Sequence, residues 1–359
     1  EAQALEAGDV WWEAELMSGN PDWSKFSEFR SQPYSSEEQA FLDGPVAELC
    51  DMLDDFEIEH ELLDLPERVW AFLKDQKFFG MIIPEEHGGL GFSASAHSEV
   101  VKRIATRSVS AAVTVMVPNS LGPGELLMLY GTDSQKDHYL PRLARGEEMP
   151  CFALTGVEAG SDASAMTATG VVCRGLWKGE ETLGIRLNWE KRYTTLGPIA
   201  TLIGLAFKLS DPDGHLGGEA DRGITVALVP TDLDGIRIGD RHLPTGLAFQ
   251  NGPSWGEDVF IPIDQVLGGE KQIGQGWKML MGALAAGRGI SLPSLSTAAA
   301  QVCAFSTGAY VGIREQFGIA IGKFEGVQEK TAPIAATAYQ LEAARRFITI
   351  GLDRGHHPG

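Results

Sequence analysis

The spacing of apolar positions changes character twice along the chain. From Ser35 to Gly146 it is helical: Phe41, Leu42, Val46, Leu49, Leu53 and Phe56 recur at steps of one, three or four. Ser35-Ser36-Glu37-Glu38 precedes them with the hydroxyl and carboxylate of a helix start. The acidic residues Asp51, Asp54, Asp55, Glu57, Glu59 and Glu61 read as a solvated helix face. Pro84 to Gly91 is a breaker cluster between helices. Val109 to Val117 is small and β-branched in helical surroundings, which fits either a tightly packed core helix or the wall of a cavity.

After Pro150 the period shortens. Phe152–Leu154, Thr169–Cys173, Gly184–Leu187, Ala200–Leu209, Ile224–Pro230, Ile236–Ile238 and Asp258–Ile261 are short apolar or alternating runs broken by Gly, Pro and Asp. They predict a compact antiparallel β domain of about a hundred residues. Helical spacing returns from Gly274, over Gly276–Leu284, Ile290–Tyr310 and Val327–Ile350, rich in Ala, Leu and Met like a bundle core. The fold class is therefore α+β. An N-terminal extension (1–34) precedes an N-terminal helical domain (35–150), a central β domain (151–268) and the start of a C-terminal helical bundle (269–359). The bundle reads as truncated, because Asp353 to Gly359 is loop-like and follows directly on a helical pattern. A length of 359 residues fits this division, being more than one core usually supports.

Composition narrows the function. A net charge of −20 disfavours nucleic acid, whose phosphates need a basic face. It leaves room for a phosphorylated ligand held by local Arg or backbone N–H groups. Cys50, Cys151, Cys173 and Cys303 show neither CxxC nor Cys/His metal spacing, so buried free thiols in a reducing compartment are expected, and no metal. No apolar run approaches the ~20 residues of a membrane span. The chain shows no signal peptide and starts without Met, so upstream sequence is expected to be missing; the expected location is the cytoplasm, with any membrane association through that missing N-terminal segment.

Cys151 to Asp162 is the richest stretch chemically. An apolar run stops at Thr155, and Gly156, Ala159, Gly160 and Ser161 then let backbone approach a ligand closely. Thr155 and Ser161 add hydroxyls. Asp162 is expected to hold the loop by accepting nearby N–H groups. Taken alone, the stretch fits an ordinary strand and turn as well as a binding loop.

Its neighbours decide. Asn119-Ser120-Leu121-Gly122 comes first, then Tyr130-Gly131, Gln135-Lys136 and Tyr139-Leu140-Pro141. The Thr155–Asp162 loop follows, and after it Leu187-Asn188 with Tyr193-Thr194-Thr195, and an apolar strand ending in Ser210-Asp211. Gly274-Gln275-Gly276-Trp277, Gly282 to Arg288 and Arg314 to Gly318 complete the series. This ordered set resembles the acyl-CoA dehydrogenases over nearly the whole chain, in particular the long bacterial enzymes that open fatty-acid β-oxidation. The resemblance implies FAD between a β domain and C-terminal helices, and removal of a proton and a hydride from the α and β carbons of an acyl thioester. Phe152, Leu154 and Thr155 would run along the flavin, with Ser161 near both flavin and substrate. Tyr193, Thr194 and Thr195 stand where the family has Trp-Ile-Thr, so Tyr193 would cover the ring face with less area than Trp. Ser210, Leu284 and Arg288 match substrate positions. Val113 and Val117 match the far end of the acyl pocket, where apolar side chains imply long chains. Arg314 matches an Arg that reaches FAD pyrophosphate across a subunit interface, with Gln316 and Phe317 transferred beside it. The loop Ile319–Gly326 is longer than usual, and Gln328 only loosely matches the family's His-Gln pair.

The base is missing. The alternative family position, just before the substrate Arg, is Gly287 here, so the base Glu is expected beyond Gly359. The expected electron acceptor is an electron-transfer flavoprotein, and the expected state a homodimer or higher homo-oligomer. An acyl-CoA oxidase, or a non-catalytic flavin- or acyl-CoA-binding homologue, is the alternative.

Overall fold

The computed structural model describes residues 12–30, 32–120 and 122–356. Its helices are α1 (Trp12–Met17), α2 (Trp23–Phe26), α3 (Ser36–Asp43), α4 (Pro45–Met52), α5 (Glu67–Asp75), α6 (Ala94–Ala105), α7 (Val109–Ser120), α8 (Pro123–Tyr130), α9 (Asp133–Ala144), α10 (Gly276–Ile313) and α11 (Glu325–Asp353). Its strands are β1 (Pro150–Ala153), β2 (Thr169–Trp177), β3 (Glu180–Thr195), β4 (Leu202–Ser210), β5 (Asp221–Pro230), β6 (Ile236–Ile238), β7 (Asn251–Pro262), β8 (Glu315–Gln316) and β9 (Ile319–Ala320). The chain divides into two compact units. One comprises residues 1–53, 93–112 and 285–359, the other 54–92 and 113–284.

The first unit is helical. The capping box at Ser35 forms, with the Ser35 hydroxyl accepting the Glu38 N–H and the Glu38 carboxylate accepting the Ser35 N–H. Glu38 is also buried, and its second oxygen accepts the Ser93 N–H at the start of α6. The centre of this unit is an ion cluster between α6 and α11. The Arg345 guanidinium, 1% exposed, donates to Glu99 (2.8 Å), Glu342 (2.8 Å) and Ser98 (2.9 Å). Lys102 adds a second cation, 2.9 Å from Glu99 and 3.5 Å from Glu342. Burial pushes both carboxyls up, but the surrounding cations outweigh it: Glu99 lies below its ordinary range and Glu342 falls to about 2.

The second unit is built on a seven-stranded sheet in the order β1-β4-β2-β3-β7-β6, with β5 on β4. The sheet is mixed rather than wholly antiparallel. β1 and β2 lie end to end along one edge of β4, both parallel to it, while β5 takes the other edge antiparallel. Parallel pairing needs crossover connections, and short alternating runs carry no record of them. β4 and β5 bury most of their residues, and Leu202, Ala206, Val226 and Leu228 pack with Leu126, Leu127, Tyr139, Leu140, Met279 and Leu280.

Four expectations change. The helical runs Gly276–Leu284 and Ile290–Tyr310 are not separate but belong to one helix, α10, which runs unbroken over 38 residues. An interior Gly costs about 1 kcal/mol, less than the burial of flanking Met279, Leu280, Ile290 and Ala298 recovers. Glu59 is not on a solvated face: it is buried in a π-helical turn (Glu57–Leu62) and accepts the Ala248 N–H at 2.6 Å. The long loop after Phe317 contains a hairpin, with β8 paired to β9. Of the four thiols, all free, Cys151 is buried but Cys303 is exposed. Among the described residues no helix is long and apolar enough to cross a membrane.

Candidate active site

Two segments of the second unit form a continuous wall. Alternation along β1 buries Cys151 and Ala153 and leaves Phe152 and Leu154 half-buried. Phe152 lies over Gly204 of β4, where a Cβ would come within 2.7 Å of its ring. Beyond β1 the chain is clamped to β3. The Thr155 carbonyl accepts the Arg192 N–H at 3.1 Å, and the Leu154 carbonyl accepts the Lys191 ammonium at 2.7 Å. The Thr155 and Ser161 hydroxyls have no hydrogen-bond partner among the described residues, and Ser161 is exposed. Asp162 does not bind backbone N–H groups through its side chain; its carboxylate accepts the Ser164 hydroxyl at 2.6 Å instead. Its carbonyl, not its carboxylate, takes the Ala165 N–H.

The second segment is strained. Register slips between Lys191 and Thr194 where β3 meets β7, a bulge that turns Tyr193 out of the sheet. Tyr193 sits at φ 56° and Leu196 at φ 63°, left-handed values that side chains this bulky rarely adopt. The strain is held from β7: the Asn251 amide donates to the Tyr193 carbonyl (3.2 Å) and to the Thr195 hydroxyl (3.1 Å), while the Leu196 N–H binds the Gln250 carbonyl (2.8 Å). The Tyr193 ring is 57% exposed, 5.2 Å from the His242 ring and 5.1 Å from the Arg192 guanidinium. Thr194 is buried. Two buried atoms at this wall have no partner, Asn251 Oδ1 and His242 Nε2. Strain stored where donors and acceptors stand unfilled is the mark of a ligand site. The wall presents the Thr155 and Thr195 hydroxyls beside the flat, exposed Tyr193 ring.

Three of the residues expected to meet substrate belong to this unit. Val113 and Val117 are buried on α7, whose end reaches Gly122 and Pro150, next to β1. Ser210 closes β4, five residues past the Leu205 that pairs with Ala153, so roughly 17 Å along the strand. The structure therefore gathers Phe152, Leu154, Thr155, Tyr193, Thr194 and Thr195, and sets Ser210 apart. The side chains of Leu284 and Arg288 lie outside the described residues.

In the first unit Arg314 ends α10, exposed, its guanidinium without a partner among the described residues. The β8–β9 hairpin behind it turns through Phe317 and Gly318, both at positive φ, as a two-residue type I′ turn requires. Phe317 is 96% exposed and meets Phe324 edge-on at 6.1 Å. Gln316 folds onto the Glu315 carbonyl, and Gln328 onto the Gly322 carbonyl.

Two ionisable groups near the wall were not singled out by motif. Lys191 is 1% exposed, and burial lowers its pKa to about 8. Glu125 on α8, next to the Leu126 and Leu127 that share a core with Phe152 and Leu154, is raised by burial to about 8. That carboxyl is protonated at neutral pH and has no hydrogen-bond partner in the described structure, so it offers no ready base. No group of His, Cys, Asp and Glu among the described residues could hold a metal ion.

Comparison with known proteins shows the family. The N-terminal, middle and C-terminal domains of acyl-CoA dehydrogenase match residues 36–147, 151–257 and 274–359. A stretch of 104 residues, 29% of the chain, is 53% identical to protein HemX of Proteus mirabilis and covers 61% of it. The probable acyl-CoA dehydrogenase FadE10 of Mycobacterium tuberculosis is 30% identical over 326 residues, 90% of this chain and 48% of that protein. The human mitochondrial very long-chain specific acyl-CoA dehydrogenase is 27% identical over 314 residues, 87% of this chain and 46% of that protein. The chain thus spans about half the length of the curated dehydrogenases it matches. In fold it is similar to butyryl-CoA dehydrogenase of Megasphaera elsdenii, with a TM-score of 0.76 at 21% identity, covering 91% of this chain and 82% of the other. The same three domains, matched in the same order, span both the strained wall and the Arg314 hairpin, and the chain belongs to the acyl-CoA dehydrogenase family.

Proposed function

We propose that the protein catalyses FAD-dependent α,β-dehydrogenation of a long-chain acyl-CoA to the trans-2-enoyl-CoA, the first step of fatty-acid β-oxidation. The observation that carries this reading is the strained wall of Thr155, Tyr193 and Thr195, with the unfilled Thr155 hydroxyl and the orphaned Asn251 and His242 atoms. PigA, a protein of similar fold (TM-score 0.75, 21% identity), has been described with FAD and proline, so a fold of this kind accommodates that cofactor. When bound beside these residues, FAD would supply the acceptor for the hydride equivalent lost from the β carbon.

The chain's own residues hold and orient. Thr155 and Ser161 would donate to the polar edge of the ring, Thr195 would approach its reacting centre, and Tyr193 would cover one face against water. Arg314 would supply a forked, permanently charged donor to pyrophosphate. Because it lies on an exposed hairpin beside Ile313 and Phe317, both largely solvent-facing, we assign it to the cofactor of a second copy in a homodimer. The base that takes the α proton we place C-terminal to Gly359. The electron acceptor we assign as an electron-transfer flavoprotein.

Val113 and Val117 support the chain-length assignment. Each further CH₂ buried against apolar surface stabilises binding by about 0.8 kcal/mol. The test is anaerobic reduction of the purified yellow protein by a series of acyl-CoA esters. A kcat/KM profile rising toward long chains is expected, and one peaking at butyryl- or hexanoyl-CoA would refute the assignment. Rapid peroxide release in air, with no response to the flavoprotein acceptor, would make the protein an oxidase.

A further inference from the structure

Lys191 is a cation buried without an anion. Its side chain is 1% exposed, its ammonium donates to the Leu154 carbonyl at 2.7 Å, and it forms no ion pair with any carboxylate in the described structure. Three N–H donors and one acceptor leave it under-satisfied, an arrangement that stability alone does not favour. Its place in the fold gives it a target. The Leu154 carbonyl and the Thr155 N–H belong to one trans peptide unit and point in opposite directions. The carbonyl faces the ammonium, and the Thr155 N–H donates to no group among the described residues.

We propose that Lys191 is a positioning and electrostatic residue for the flavin, acting through the Leu154–Thr155 peptide to favour the reduced, negatively charged ring over the oxidised one. The proposal rests on the flavin reading above, which sets the polar edge of the ring at Thr155. An ammonium on the carbonyl polarises the peptide and strengthens its N–H as a donor. The uncompensated charge acts in the same sense, because reduction adds negative charge to the ring and charge near it is how a protein tunes a flavin. The strain at Tyr193 follows from the same requirement: the bulge after Lys191 lets residue 191 point inward while residues 193 and 195 meet the ligand. Burial lowers the Lys191 pKa to about 8, which leaves it charged at neutral pH.

The test compares Lys191→Met, Lys191→Gln and Lys191→Arg in the flavin-loaded protein, measuring the two-electron midpoint potential together with the affinities for oxidised and reduced FAD. Methionine keeps the length and removes the charge. It should weaken binding of reduced FAD at least tenfold more than that of oxidised FAD, a fall in potential of about 30 mV. Arginine should keep most of the wild-type value. Equal weakening of both redox states, or an unchanged potential in a yellow Lys191→Met protein, would reduce Lys191 to a strap for the β1 end and overturn the proposal. Where the methionine variant does not fold, the glutamine and arginine variants carry the same comparison. A wild-type protein that binds no flavin at all would refute the flavin reading and this proposal together. A yellow wild type with an insensitive potential would refute the proposal alone.

Discussion

Replacing Arg345 by methionine should unfold the helical unit more readily than any single surface change. The guanidinium makes charge-assisted hydrogen bonds to Glu99 and Glu342 and a third contact to the Ser98 hydroxyl, the Glu99 and Ser98 contacts buried and the Glu342 contact half-buried. Breaking a buried pair from one side leaves an uncompensated charge and typically costs 3–5 kcal/mol. Lys102 still sits 2.9 Å from Glu99, and Arg103 3.1 Å from it, so the loss should fall at the lower end, about 3 kcal/mol. The matching triple change, Arg345→Met with Glu99→Gln and Glu342→Gln, removes the stranded charges and should recover much of that loss. Urea unfolding, read with hydrogen exchange on α6 and α11, separates this unit from the β-rich one. Acid should act on the same cluster. Glu99 and Glu342 are depressed in the folded state, so their stabilisation is present above the ordinary glutamate range and is lost as pH falls toward about 2. A loss below about 1 kcal/mol for Arg345→Met, or a triple variant no more stable than the single one, would refute the reasoning.

Three further outcomes are expected. Arg314→Ala should release FAD rather than alter the fold, since one charge-assisted contact is worth about 1.5–3 kcal/mol, and the loss should accompany dissociation of the dimer; full flavin content at low protein concentration would contradict it. The Lys191 pKa is 10.5 unfolded and about 8 folded, so the folded apoprotein binds fewer protons between these values. Its stability should therefore rise with pH across that window by up to about 3 kcal/mol, a slope that Lys191→Met abolishes. Glu125 is shifted the opposite way, to about 8, so its burial weakens the fold as pH rises from the carboxylate range to that value. Glu125→Gln should raise the melting temperature at the alkaline end and leave it unchanged in acid.

What the sequence makes legible follows from the range of the interactions involved. The capping box at Ser35, the strand runs and the two changes of period depend on residues a few positions apart, and these read correctly. The parallel seating of β1 and β2 on β4 depends on residues about forty to fifty apart, and local alternation holds no trace of it. Gly276–Leu284 and Ile290–Tyr310 read as two helical runs because pattern and propensity are local, whereas the packing that joins them comes from elsewhere in the fold. The hairpin after Arg314 had a signal, Phe317-Gly318 between alternating residues, but an aromatic at a left-handed turn position hides it. Glu59 was misread because a π-turn shifts the phase on which a helical wheel depends.

Lys191 differs from these, because its burial is written in the chain. Along β3, Ile185, Leu187, Trp189 and Lys191 share one phase and are all buried, while Asn188 and Glu190 on the opposite phase are exposed. Strict alternation thus places a lysine on the inward side of a strand, where a hydrophobic residue would pack at less cost. A charge kept on the inward phase, with a carbonyl rather than a carboxylate to receive it, breaks the local rule without a gain in the described contacts. Such a conflict between pattern and chemistry points to function, because a fold under no other demand would replace it. The strain at Tyr193 two residues later is a second conflict of the same kind, and the two meet at the same peptide wall. Motif resemblance identified Thr155, Tyr193 and Thr195 by their residue types, whereas alternation identifies Lys191 by the type it excludes.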